Sequence, residues 1–205
     1  MIPIFISNSV MAQDRPAQAF GKLSCPEKRW VIFHPFVARR AFHAALVARQ
    51  KSVELEKSDL LDKDADGGQV DAFRHAFWMA LMTQKICPAK AIRLGKAHEK
   101  GNYRSFRKHQ LEESSLPDSM SSVMDLFNNQ VGAATGCQNK QLSEPELMSL
   151  IVAKIKAGEL RKLRKDFLGK PLDCSGTQIE SAQYRGKWSI PKCLVPSDFP
   201  APDRR

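Results

Sequence analysis

No apolar run in this 205-residue sequence approaches the roughly 18 residues that a bilayer-spanning helix needs, so an integral membrane protein is not expected. No CxxC pair occurs, which argues against a zinc knuckle or a thioredoxin-type centre. No internal repeat is visible. Concentrated charge is missing too. The formal net charge is +10, yet the excess is spread through the N-terminal, central and C-terminal parts alike, with no basic arm interleaved with aromatics. Nucleic acid is therefore not expected as a partner. The strongest run, Arg161, Lys162, Arg164 and Lys165, falls on a stretch with helical periodicity. It reads as a solvated face, with attraction to an anionic envelope surface as the alternative.

The N-terminal stretch "MIPIFISNSVMAQD" lacks the basic segment of a complete export signal. It does have a short apolar run followed by Val10 and Ala12, small or apolar residues where a signal peptidase needs them. We read residues 1–29 as leader and linker, an export signal that starts upstream, and the protein as periplasmic or secreted. A buried N-terminal strand is the alternative. Five cysteines suit an oxidising compartment only if one is left over. Cys174 and Cys193 flank a Gly/Ser/Pro-containing tail with few other means of holding shape, so a bridge is expected there. Cys25 and Cys137 could also pair, and Cys87, ending an apolar helix, reads as a buried thiol.

What is present is helical pattern. Apolar residues make up 42% of the chain, enough for one well-cored domain over 30–169, followed by an irregular tail over 170–205. Pro35 suits a first helical position, and Phe36, Ala41, Ala44, Ala45, Val47 and Ala48 form a stripe towards Glu56. A second helix runs from about Gln69 and must end before Pro88. The third opens at Pro88 and is expected to stop near Gly101, before a polar loop "NYRSFRKHQLEESS". The fourth starts at Pro117 and ends around Gly132 to Gly136. The fifth opens with a capping box, Ser143 and Glu146, and its stripe reaches Leu160, Leu163 and Phe167 before Gly169. The expected fold is an all-α, single-domain bundle of about five helices with an irregular, disulfide-bridged C-terminal tail.

Two features depart from plain bundle chemistry. The turn "LDKDADGG" has Asp62, Asp64 and Asp66 at alternate positions and Gly67 at the sixth, the spacing with which a calcium loop brings carboxylates to one cation. Its twelfth position is Phe73 where such a loop supplies Glu, so Asp71 would have to add the missing oxygen. Ca2+ is the first choice and Mg2+ the second. The alternative is an acidic turn that caps a helix start. Beyond it, three successive helices carry compact polar groups among apolar residues. These are Asp71, Arg74 and His75; His98 and Glu99; and Asp125, Asn128 and Asn129. A buried unpaired amide costs about 1–3 kcal/mol and a charge more, so these groups should meet one another or a ligand. Their composition suits either a mixed oxygen/nitrogen metal site or acid–base chemistry with His75 or His98 as base and Arg74 on an anion.

The strings "GGQVDAFRHAFWMAL", "GKAHEKGN" and "MDLFNNQVG", in that order, resemble the signature blocks of an uncharacterised bacterial family, a domain of unknown function seen in exported and toxin-like proteins. The resemblance implies Asp71, Arg74, His75, His98, Glu99, Asp125, Asn128 and Asn129 as the positions that matter, and supplies no reaction. Phe127 stands where many relatives have His. The resulting expectation is an exported helical hydrolase, cation-dependent, acting on a phosphoester or lipid-linked envelope substrate. In it, Arg74, His75, His98, Glu99, Asn128 and Asn129 are catalytic, and Asp62, Asp64, Asp66, Asp71 and Asp125 are metal ligands. The alternative is a non-enzymatic, calcium-stabilised envelope protein that binds a partner.

Overall fold

The computed structural model describes residues 16–109 and 117–200. The stretch read as an export signal up to residue 15, and the expected polar loop from residue 110 on, lie outside the described residues, while 102–107 of that loop are helical. Seven helices are found among those described: α1 (Pro16–Lys22), α2 (Cys25–Phe33), α3 (Pro35–Glu56), α4 (Gln69–Lys85), α5 (Pro88–Arg107), α6 (Ser119–Gln138) and α7 (Glu144–Lys156). Two short strands, β1 (Arg161–Leu163) and β2 (Leu194–Pro196), pair antiparallel with Lys162 opposite Val195. The protein is thus all-α in its body, as its periodicity implies, with two more helices than expected. Both are short and begin before residue 30, in the stretch read as leader and linker. No helix among the described residues is long and apolar enough to cross a membrane.

α4 occupies the centre because its sequence is apolar on nearly every side. Val70, Phe73, Ala76, Phe77, Met79 and Ala80 are all fully buried. α3, α5, α6 and α7 pack around it. The closest approach is that of α6, which continues through the glycines expected to end it. A Cβ on Gly132 would stand 2.0 Å from the Ala76 carbonyl oxygen, and one on Gly136 2.1 Å from that of Ala80. These glycines let two helix backbones touch. Gly101 is likewise inside α5, where a Cβ would meet Ser24 Oγ at 2.5 Å, so α2 lies directly against α5.

Other corrections have similar local causes. α7 opens on its capping box, with Ser143 N–H donating to Glu146 Oε2 at 2.8 Å, but ends at Lys156. Gly158 then adopts a left-handed conformation (φ 75°), and Leu160 and Leu163 enter the core beyond that break, Leu163 on β1. The Arg161–Lys165 run is therefore not on a helix, and Phe167 is exposed. Phe36 is exposed rather than part of the core stripe of α3, which is Ala41, Ala44, Ala48, Ser52 and Leu55. Cys174 and Cys193 form the expected disulfide. Cys25 and Cys137 do not pair, and Cys87 is an exposed thiol because it caps α5 instead of ending α4 inside the core.

Candidate functional site

The first two turns of α4 carry Asp71, Arg74 and His75 on neighbouring faces, and α6 brings Asp125 and Asn129 against them. His75 Nε2 lies 3.5 Å from Asp71 Oδ1, 3.4 Å from Asp125 Oδ1 and 3.3 Å from Arg74 Nη2. Arg74 Nη2 also donates to Asp71 Oδ1 at 2.6 Å. Asp71, His75 and Asp125 each offer a ligand atom within 4.8 Å of the other two, and they are the only such group among the described residues. All three are buried.

Burial pushes the His75 imidazole well below its usual range, and the charges of Arg74 and His98 push the same way against a smaller opposing effect of Asn129. His75 is therefore neutral, with a lone pair to offer. Burial also raises the Asp71 carboxyl, opposed by Arg74 and by the Gly67 N–H that donates to Oδ2 at 2.7 Å, and reinforced by the carboxylates of Asp66 and Asp64. Asn129 lies against His75, yet neither of its amide atoms makes a hydrogen bond of good geometry, nor does His75 Nδ1. Leaving such groups unsatisfied costs about 1–3 kcal/mol each unless a ligand engages them. Gly95 on α5 makes room here, since a Cβ there would stand 3.0 Å from Asn129 Nδ2.

Beside His75 stands His98, ring centroids 6.3 Å apart, with Trp78 at 5.9 Å from His98. His98 Nδ1 is 3.0 Å from Glu27 Oε1 on α2. Burial of Glu27 opposes its charge, but the His98 contact and the Ser24 N–H hold its pKa at about 2, below the usual 4.5. Arg74, His75, Trp78, His98 and Glu27 face a cavity of about 690 Å³, whose remaining wall comes mainly from apolar residues of α1, α2 and α3.

Of the residues the sequence nominates, Asp71, Arg74, His75, His98, Asp125 and Asn129 come together. Glu99 is buried and accepts from Asn102 Nδ2 at 3.2 Å. Asn128 points elsewhere: its amide pairs with the Arg161 backbone, accepting from N–H and donating to the carbonyl, each at 2.9 Å. It joins α6 to β1. Asp62, Asp64 and Asp66 do not converge with Asp71 on one point. Asp62 accepts from Asp64 N–H and Gln69 N–H, Asp64 from Asp66 N–H, and Lys165 Nζ reaches Asp64 Oδ2 at 2.6 Å, with Lys162 Nζ 3.8 Å from Asp62. Lysines and backbone N–H groups satisfy the turn. Glu27 went unnominated. Its signal, a second capping box of Ser24 and Glu27 with Pro26 between, marks a helix start in the sequence but not the side chain's meeting with His98.

Comparison with known proteins finds no match among curated proteins and none among solved structures. Residues 28–159 match the model of the family described as "Domain of unknown function (DUF6973)", a span that holds every residue of the cluster except Glu27.

Proposed function

The chain belongs to this family of unknown function, and on that premise we propose that it is a phosphoester hydrolase whose divalent cation is held by Asp71, His75 and Asp125. The observation that carries the reading is the convergence of Asp71 Oδ1, His75 Nε2 and Asp125 Oδ1 beside a cavity in the size range of small-molecule sites. One neutral imidazole and two carboxylates suit Zn2+ or Mn2+ better than Ca2+ or Mg2+. The calcium expectation rested on turn carboxylates that lysines already neutralise.

When bound, such an ion supplies charge stabilisation at a phosphoryl oxygen and acidifies a water. The chain's own residues account for the rest. Arg74 lines the cavity and can turn from Asp71 towards a phosphate. With Nδ1 held by Glu27, Nε2 is the His98 nitrogen left to take a proton from the attacking water and return it to the leaving oxygen. Asn129 offers an amide to orient water or substrate. One water is consumed: its oxygen bonds to phosphorus, the P–O ester bond breaks, and the departing alkoxide leaves protonated as an alcohol.

Export to an oxidising compartment is supported by the Cys174–Cys193 bridge. Association with an anionic surface is supported on α5, where Arg93, Lys96, Lys100 and Arg104 are exposed along one face beside Arg29.

The test is His75→Ala assayed on bis(p-nitrophenyl) phosphate with Zn2+ or Mn2+. We expect turnover to fall by about a hundredfold or more with unchanged helical circular dichroism, and bound metal to drop from about one ion per chain. A folded wild type that retains an ion but hydrolyses no phosphoester overturns the proposal. A non-enzymatic, partner-binding module is the second reading, favoured by the Arg74–Asp71 pair, which already places a cation within the cluster. It predicts that no divalent ion binds there.

A further inference from the structure

α3 has two apolar stripes. One enters the core. The other, Ala38, Phe42 and Ala45 with Leu46 beside them, lines the cavity together with Phe20 and Leu23 at the α1 end and Val31 of α2. A site for a purely polar phosphoester has no use for such a wall, because water-exposed apolar surface is unfavourable at about 25 cal/mol per Å². The charges follow a pattern as well. Lys22, Arg39, Arg49 and Arg74 line the cavity, and its single carboxylate, Glu27, is engaged by His98. At the corner between α2 and α3, between wall residues Val31 and Ala38, three large apolar side chains are turned out to solvent: Ile32 at 65%, Phe33 at 69% and Phe36 at 93% exposure.

Resting on the hydrolase reading, we infer that the substrate is an anionic amphiphile, a phosphoester carrying one long alkyl or acyl chain. The chain lies along the α1–α2–α3 wall, and the phosphate reaches Arg74 and the Asp71–His75–Asp125 cluster at the buried end. The cationic residues complement the head group, and the exposed apolar corner meets the lipid or micelle surface from which the molecule is drawn. A free phosphate ester would satisfy the cluster but leave the wall unused.

Calorimetric titration of the full chain with monomeric dodecyl phosphate, below its micelle concentration, tests this without turnover. Inorganic phosphate and dodecyl maltoside serve as the head-only and chain-only controls. Dodecyl phosphate is expected to bind about tenfold tighter or more than either. Ala45→Trp, which fills the wall, should remove that margin while cation affinity and circular dichroism stay as in wild type. Should that variant fail to fold, Phe42→Asp at a half-buried position makes the same test. Equal affinity for dodecyl phosphate and inorganic phosphate, equal affinity for dodecyl maltoside, or undiminished binding in a folded wall variant overturns the inference. A protein that binds the amphiphile but hydrolyses nothing refutes the hydrolase and leaves the binding site standing. One that hydrolyses short phosphodiesters without preferring the amphiphile refutes only the substrate class.

Discussion

Arg74 is the residue on which the cluster turns, because its guanidinium lies 2.6 Å from Asp71 Oδ1 and 3.3 Å from His75 Nε2, within the space an ion would share. A like charge at ~4 Å costs on the order of 4 kcal/mol at an effective dielectric of about 20, so guanidinium and metal compete. Arg74→Ala should therefore tighten Zn2+ or Mn2+ binding by about tenfold or more while lowering phosphoester turnover, read by metal titration and assay on the same sample. If the cluster is only an ion-pair network, the substitution destabilises the fold and binds no metal. Glu27 offers a pH readout. Its carboxyl is depressed from 4.5 to about 2 in the folded state, so its contribution is complete above pH 4.5 and is lost as pH falls through 2. That shift corresponds to about 3 kcal/mol. Glu27→Gln should lower unfolding stability by that order at neutral pH, and the gap to wild type should close between pH 4.5 and 2 in denaturant melts. Asp71, His75 and Asp125 were legible as candidates because helix positions four apart and apolar neighbours mark them as buried. Glu27 was not, since nothing within a helix turn of it signals a histidine 71 residues away.

At the scale of elements, α6 has two tasks on two faces. Gly132 and Gly136 bring its backbone onto α4, which sets Asp125 and Asn129 beside His75. Asn128 looks the other way and fastens β1 by two hydrogen bonds. Adjacent asparagines in a helix thus have different causes, although their sequence context is the same. Asn128→Ala should cost about 1–3 kcal/mol of stability in urea melts, from unpaired Arg161 backbone groups, and leave cation affinity at the wild-type value. A loss of metal binding without loss of stability would place Asn128 back in the site. The boundaries show the same division of information. Pro35, Pro88 and the Ser143–Glu146 box mark helix starts because they act on the first turn alone. Gly101, Gly132 and Gly136 look like terminators in sequence, yet the helices run through them, because close packing against Ser24, Ala76 and Ala80 is what requires a missing side chain.

Across the whole molecule, the C-terminal segment holds the turn that leads into α4. β1 delivers Lys162, with Lys165 just after it, to the acidic turn that precedes α4, and β2 with the Cys174–Cys193 bridge holds β1 in register. Reduction of that bridge should lower stability by about 3 kcal/mol on the loop-entropy model, seen as a lower melting temperature in dithiothreitol. An unchanged melting temperature would mean that the tail is held by its strand pairing alone. The sequence by itself determined the helical body, most helix starts, the bridged tail and the identity of the polar residues that could not be buried singly. Those features follow from periodicity, caps and local chain geometry, which operate within a few residues. Only the tertiary structure decided which of those polar groups meet. It separated Asn128 from Asn129, gave the turn carboxylates to lysines about a hundred residues away, and joined α2 to the site through Glu27. Such meetings depend on how far apart and at what rotation whole helices pack, and that is fixed by the fit of distant surfaces to one another.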